Sequence, residues 1–462
     1  MLPGVAAPFH GPIWPRFRNP FPFRRVLTGL DCMHLKIFTT LVFLATLPPV
    51  LASGLGIESL VQTALANNRE LQAAQFAVAQ AKGRLAQAGR WPNPELEVSG
   101  LSDVVFRNDG AGAFTVGLSQ TFPLTARLSL AREAGRIDVL RAMREIRDQE
   151  RRLIATVRET TIRILQSKAQ AEILADLLAA ADASSKLTLQ RLQAGQGSLS
   201  EKSLSLVDQR RIANELESAR LEQNLATLEL KTLLGMTANE PLEISDSLSG
   251  AIQKLTALAK SRPESIHRPD VDLLLLESEK AGIESALARA EAWEGIRIGV
   301  QYAFDRNMDE PEGLGTDNFL GLSVSIPLPL WDQNKGLAEE RTAIRDQNLA
   351  RVRAAKLEIE NALASDLRTV DLIQKRLADF ETLTIKPIAA DLAEMQTGFE
   401  AGRVDMRDLF AVREKLGELR LERVALESRL ASALSELEAT SGSHPAIRRV
   451  YLVSANPESK KP

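Results

Sequence analysis

The sequence predicts a mainly α-helical chain with a transmembrane β-barrel component, built as an internal duplication in which each copy supplies one two-stranded hairpin. Three observations carry this reading. "FTVGLSQTFPL" at 114–124 and "FLGLSVSIPL" at 319–328 align without a gap from Gly117 and Gly321 onward, an offset of 204 residues. Trp91 and Trp293, each just ahead of a strand-like run, are offset by 202, and the Ala-Gly pairs in "LQAGQGSL" and "FEAGRVDM" by 207. Markers in one order with a nearly constant offset indicate a repeat. The third observation is strict apolar alternation in the strand-like runs, beside helical stretches too long for a globular domain.

Taken in order, residues 1–32 hold six prolines and four arginines without apolar periodicity and read as an upstream leader outside the mature chain. Met33 opens a short basic start, an apolar run from Ile37 to Leu47 and a small-residue exit at Val50-Leu51-Ala52. That is the layout of a secretory signal over 33–52, and the run is too short to span a bilayer. Copy one covers roughly 57–250. It starts with an Ala-rich helical segment over 57–90, then strands at about 94–106 and 114–123, then helices over 126–194 and 198–235. The stretch 126–194 lacks proline and is rich in Ala, Leu, Arg, Glu and Gln, all good helix formers. At 1.5 Å per residue it extends about 100 Å, which requires coiled-coil-like support from neighbours. Copy two covers roughly 260–441, with a helix over 269–292, strands at about 296–304 and 318–327, and helices over 335–400 and 405–441. Pro387 predicts a kink in the first of these. Residues 442–462 read as a flexible tail.

The strands have two distinct faces. Phe114, Val116, Leu118 and Phe122 oppose Thr115, Gly117, Ser119 and Thr121. Ile296, Ile298, Val300, Tyr302 and Phe304 oppose Arg297, Gly299, Gln301 and Ala303, and Leu320, Leu322, Val324 and Ile326 oppose Gly321, Ser323 and Ser325. The first strand is weaker, with Leu96, Val98, Val104 and Phe106 on its better face. A half-buried soluble sheet shares this period, but a small, largely neutral second face suits a water-filled lumen. Thr115, Ser119, Thr121, Arg297, Gln301, Ser323 and Ser325 are therefore the candidate lumen residues. Trp91, Trp293 and Trp331 stand just outside strand ends, where an aromatic girdle belongs. Four strands cannot close a membrane barrel, because an open edge in lipid leaves backbone groups unpaired, so closure must come from other subunits. The connectors Arg107–Ala113 and Asp305–Asp317 are then expected to face the cell exterior.

Composition narrows the function classes. Cys32 is the only cysteine and lies in the leader, so the mature chain has no disulfide framework and no thiolate metal site. The net charge of −3 becomes −7 once residues 1–52, with five Lys/Arg against one Asp, are set aside. A mildly acidic chain is a poor nucleic-acid binder. No phosphate-binding glycine loop, HExxH or nucleophile elbow is present, so no enzyme and no cofactor is expected. His267 and His444, the mature histidines, are too far apart in sequence to suggest a site.

Local phrases add a resemblance. "ALANNRELQAAQ", "AGRWPNPEL", the repeated Gly-Leu-Ser…Pro-Leu strand, "PLPLWDQNKG" and "FEAGRVDMRDLF" resemble outer membrane efflux proteins of the TolC family. "IPLPLWDQNKG" is similar to the branch of Czc-type heavy-metal efflux channels. The resemblance implies a trimer whose twelve strands form an outer-membrane barrel above a long periplasmic helical tunnel. It implies a passive exit duct for an inner-membrane pump, of RND type by preference, joined through a periplasmic adaptor, with heavy-metal cations as cargo. Drug efflux and type I secretion are the alternatives within the family, and a periplasmic adaptor or a structural coiled coil outside it. The Ala-Gly turns become the periplasmic tips, with Gly195, Gly402 and Asp405 in them. By position Asp408 matches an acidic residue of the family's constriction, and Glu201 takes the near-equivalent place in copy one. Arg403 stands one position from the family's tip arginine; solvated turn charges are the other reading of Glu201 and Arg403.

Overall fold

The computed structural model describes residues 54–103, 110–260, 268–309, 313–401 and 403–442. The expected leader and signal segment, the expected tail beyond Gly442, Val104, Phe106, His267, Gly402 and His444 lie outside them. Helices α1 (Ile57–Asn67) and α2 (Arg69–Gln87) lead into strands β1 (Glu95–Ser102) and β2 (Gly112–Phe122). Helices α3 (Arg127–Gln193), α4 (Leu199–Leu233), α5 (Leu248–Lys260) and α6 (Pro269–Glu291) follow. Strands β3 (Ile296–Asp309) and β4 (Gly313–Ser325) precede α7 (Lys335–Asp379), a π-helical turn (Phe380–Ile385), α8 (Lys386–Glu400) and α9 (Met406–Ser441).

The four strands form one antiparallel meander, β1-β2-β3-β4, with both outer edges open within the chain. Because directly opposite residues share a face, the register sorts the side chains into rows. One face carries Leu96, Leu118, Val300 and Leu322 in one row and Val98, Val116, Tyr302 and Leu320 in the next. The other carries Ser119, Gly299 and Ser323, and Thr121, Arg297 and Ser325. The second hairpin is longer than the expected strands at 296–304 and 318–327. Asp305 pairs with Asp317, and pairing continues to Asp309 with Gly313. Most of the expected loop Asp305–Asp317 is therefore strand, and the rest of it, 310–312, lies outside the described residues. Charged residues read as a connector, yet the ladder is made by the backbone, and Asn307 Nδ2 donates to Asp305 Oδ2 at 3.1 Å. Likewise Ala113, placed in the first expected loop, lies in β2.

The expected helix over 57–90 is two helices. Asn68 breaks it in extended conformation, accepts the Leu71 N–H at 2.9 Å as N-cap of α2, and donates from Nδ2 to the Leu233 carbonyl at 3.0 Å. The side chain thus offers the backbone a better option than continuing the helix. Helix α5, which no repeat marker signals, fills the span between the copies.

Helix α3 spans 67 residues, about 100 Å, and packs on α1, α2, α4, α6 and α9. Its support is concentrated at mid-length. Ile57 of α1, Ile162 and Leu165 of α3, Leu248, Ala251 and Leu255 of α5, and Leu430, Leu434 and Leu437 of α9 form one buried cluster. Leu60, Val61 and Ala64 of α1 join Ile154 and Val157 of α3 and Leu230 of α4 in a second. Helices α1 and α5 therefore staple the long helices of both copies together. Buried among them, Arg158 places Nη1 2.5 Å from Glu438 Oε2 and Nη2 2.6 Å from Glu58 Oε1.

Pro387 acts through its neighbours. The Lys386 N–H bonds five residues back, to Glu381 O, at the end of the π-helical turn. Proline has no N–H and its ring would strike the carbonyl four residues back in a regular α-helix, so one widened turn relieves both problems. Glu381 Oε2 then meets Arg423 Nη1 of α9 at 3.3 Å.

Candidate functional site

The first tip is a tightly specified turn. Helix α3 ends with Gln196 N–H on the Arg191 carbonyl at 2.8 Å and Gly195 N–H on the Leu192 carbonyl at 3.1 Å, a Schellman closure. Gly195 has φ +73° and nothing within 4 Å of the position of a Cβ, so backbone conformation and not crowding favours glycine there. Helix α4 starts with a capping box: Ser198 Oγ accepts Glu201 N–H at 3.1 Å, and Glu201 Oε2 accepts Ser198 N–H at 3.4 Å.

The second tip ends α8 with Arg403 N–H on the Gly398 carbonyl at 2.8 Å and starts α9 with Asp405 as N-cap, its carboxylate accepting Arg407 N–H at 3.3 Å. The structure brings the two tips together through charges. Glu201 Oε1 accepts from Arg407 Nη2 across 206 residues of sequence. The Arg407 hydrogen bond, then the Ser198 backbone bond, hold the Glu201 carboxyl below its ordinary value of 4.5. Arg191 Nη1 lies 3.8 Å from Asp405 Oδ1, and further along the helices Arg211 bridges Glu414 at 2.6 Å and Glu215 at 3.0 Å. Between the two hairpins is a cavity of ≈ 490 Å³, with Leu177, Leu204, Ile212 and Phe410 on its walls and Arg191, Glu201 and Arg407 among its polar lining.

Asp408 stands apart from this network. It lies in the first turn of α9, is exposed, and has no ion pair or hydrogen bond through its side chain among the described residues. The Arg403 side chain is likewise exposed and has no ion pair or side-chain hydrogen bond among the described residues. Arg407, the partner that commits Glu201, escaped the sequence reading, since nothing local couples positions 201 and 407.

On the sheet, the seven small-face residues share one surface. Arg297 Nη1 reaches Glu95 Oε2 at 3.4 Å, and Ser323 Oγ donates to the Gly299 carbonyl at 3.3 Å. Gln301 lies over Gly321, whose added Cβ would meet its Cγ at 3.1 Å. The same face also carries Glu95, Glu97 and Phe319, which the sequence reading left out; the register places them opposite Ser119, Gly117 and Ala303. Trp91, Trp293 and Trp331 are all exposed and all stand at the end of the sheet where the helices join. Trp91 makes an edge-to-face contact with Phe122, ring centroids 5.9 Å apart. Among the described residues no group of His, Cys, Asp or Glu could hold a metal ion, and no helix is long and apolar enough to cross a membrane.

Comparison with known proteins gives a consistent picture. The family model "Outer membrane efflux protein" matches residues 60–236. The cobalt-zinc-cadmium resistance protein CzcC of Cupriavidus metallidurans is 25% identical over 398 residues, covering 81% of this chain and 87% of that protein. Among solved structures, CusC superposes with a TM-score of 0.65 at 17% identity, covering 85% of this chain and 93% of CusC. The Campylobacter jejuni outer membrane channel CmeC gives 0.65 at 13% identity, over 87% of this chain and 90% of CmeC. The Vibrio cholerae outer membrane protein VceC gives 0.62 at 15% identity, over 84% and 96%. The chain is thus similar to outer membrane efflux proteins in sequence over its first copy, and it shares the fold of the solved channels across both copies.

Proposed function

We propose that the chain is the outer membrane exit duct of a tripartite efflux system, conducting heavy-metal cations passively from an inner-membrane pump and periplasmic adaptor to the outside. The observation that carries this reading is a sheet with one apolar face, one small polar face and two open edges, joined to long helices of which α3 extends about 100 Å. Lipid cannot satisfy the open edges, so three protomers pair β4 of one with β1 of the next into a twelve-stranded barrel. The apolar rows then face lipid, Thr115, Ser119, Thr121, Arg297, Gln301, Ser323 and Ser325 face the lumen, and the Trp residues mark the periplasmic interface. The two hairpin turns face the exterior, and the helices form the tunnel in the periplasm.

At the far end three copies of Asp408 surround the axis. A ring of carboxylates lowers the energy of a cation at a constriction and raises that of an anion. Asp408 is free for that role, whereas Glu201 is engaged by Arg407 and holds the tips in contact. An RND-type pump and its adaptor are the partners that fit a metal cargo, and the likeness to a cobalt-zinc-cadmium resistance protein supports that cargo.

Deletion of the gene and complementation test the proposal. Lost tolerance to cobalt, zinc or cadmium, restored by the wild-type chain recovered as an outer-membrane trimer, is the expected result. Unchanged metal tolerance with loss of drug tolerance or of protein export would replace the cargo and keep the duct. A monomer in the soluble periplasmic fraction would overturn the duct itself.

A further inference from the structure

Beside the junction of barrel and helices lies a cleft of ≈ 470 Å³, lined by Arg289, Trp293, Pro329, Gln333, Lys335 and Glu339 among others. Its walls are fixed by the chain's own bonds. Thr125 Oγ1 donates to the Ala290 carbonyl at 2.9 Å and Asn334 Nδ2 to the Ala288 carbonyl at 3.1 Å, so the end of α6 is closed without help from Arg289. Gln333 Nε2 donates to the Pro329 carbonyl at 3.3 Å and holds the connector between β4 and α7.

The charges around this cleft are unusual for so ion-paired a protein. Arg289 and Lys335 have no ion-pair partner among the described residues, and neither does Glu339, which lines the same cleft. Two cations and one carboxylate therefore border one space without neutralising each other. The connector beside them exposes Leu328, Leu330 and Trp331, the last 93% exposed. A run of exposed apolar side chains beside an aromatic and a basic cleft is the pattern of a membrane interface with a headgroup site.

We infer that this cleft binds the headgroup of an amine-bearing glycerophospholipid from the periplasmic leaflet. Arg289 and Lys335 take the phosphate, Glu339 takes the ammonium, and Trp293 and Pro329 pack on the glycerol region while the acyl chains lie along Leu328 and Leu330. A choline headgroup, which cannot donate a hydrogen bond to Glu339, fits worse, and a glycerol headgroup lacks the ammonium. The inference rests on the outer membrane duct reading above, which sets the height of the cleft in the bilayer.

The test uses the full mature chain, purified as its native oligomer in mild detergent, with native mass spectrometry after addition of phosphatidylethanolamine, phosphatidylcholine or phosphatidylglycerol. The wild type is expected to retain phosphatidylethanolamine in preference to the other two. Arg289→Gln with Lys335→Gln should lower that retention about tenfold or more, since each cation contributes to phosphate attraction. Glu339→Gln, at an exposed position that keeps the fold, should shift the preference toward phosphatidylglycerol. Equal retention of all three lipids by the wild type, or retention unaffected by these substitutions, overturns the site. So does a double variant that loses the oligomer while Glu339→Gln leaves lipid preference unchanged, which would make the cleft a contact between subunits. A chain absent from the outer membrane would instead sink the duct reading; a correctly inserted oligomer without lipid preference sinks only the headgroup site.

Discussion

In the first copy α3 runs unbroken from Arg127 to Gln193; in the second the corresponding span is α7, a π-helical turn and α8, with Pro387 just beyond the turn. The tips differ in the same sense. Both close their first helix with a bond to the carbonyl five residues back, but α4 then starts with a full capping box and α9 with the Asp405 cap alone. Both copies follow one plan, yet copy one is built as a continuous strut and copy two carries an interruption partway to its tip. The lesson is that duplication conserves topology while leaving stiffness free to diverge, because a π-helical turn costs one residue of register and no change of packing partners.

The strongest way to break the comparison is to cut the bond between the copies. Arg158 of copy one is buried against Glu438 of copy two, so Arg158→Ala leaves a carboxylate stranded in the core. Removing one partner of a buried pair costs about 3–5 kcal/mol. The thermal unfolding midpoint of the detergent-solubilised oligomer should fall markedly. A midpoint unchanged from wild type would show that the two halves are held by their apolar clusters alone.

The difference in stiffness is tested next. Lys168 is exposed on α3, so Lys168→Pro changes the backbone with little loss of packing, and it should cost about 3 kcal/mol. Pro387→Ala, where a π-helical turn already absorbs the proline, should be close to neutral or stabilising. Equal destabilisation by the two changes, read from unfolding midpoints, would remove the distinction between strut and interrupted helix.

The barrel offers a place where the copies should behave alike. Leu118 and Leu322 occupy the same place in the repeated phrase and the same row of the apolar face. Arg at either should cost about 2–4 kcal/mol near the bilayer midplane, while Arg at Ser119 or Ser323 is tolerated. Assembly assays in which both faces accept Arg equally would remove lipid from one side of the sheet.

How much of this was legible in the sequence follows from where the information lies. Period-two alternation is local, so the strand faces could be read from Phe114, Val116 and Leu118 alone. The strand ends could not, because Asp305 and Asp317 resemble loop residues until their backbones are seen to pair. Asn68 looks ordinary inside an Ala-rich helix until its amide finds Leu233, 165 residues away. Glu201 and Arg407 share the same difficulty: each is a plain tip charge in sequence, and only the fold makes them partners.

That pair gives the smallest expected effect and the sharpest reading of the tips. Glu201 titrates below its ordinary value of 4.5, first because of the Arg407 hydrogen bond and then because of the Ser198 backbone bond. A carboxyl whose folded value is depressed adds stability that is complete above its unfolded value and is lost as pH falls through the folded one. Arg407 stays charged throughout, so protonation of Glu201 alone weakens the contact. The seam between tips should therefore be indifferent to pH from 8 down to about 5 and loosen only below the usual carboxylate range. Because Cys32 is the only cysteine of the sequence, spin labels at Lys202→Cys and Glu400→Cys in a Cys32→Ser background can report the distance between hairpins without a third label. The wild-type distance distribution should stay narrow at neutral pH and broaden in acid, while Arg407→Ala should be broad at every pH. If Arg407→Ala keeps the wild-type acid profile, the tips are held by the Arg191–Asp405 and Arg211–Glu414 pairs, and Glu201 serves only its own helix as the far half of the capping box.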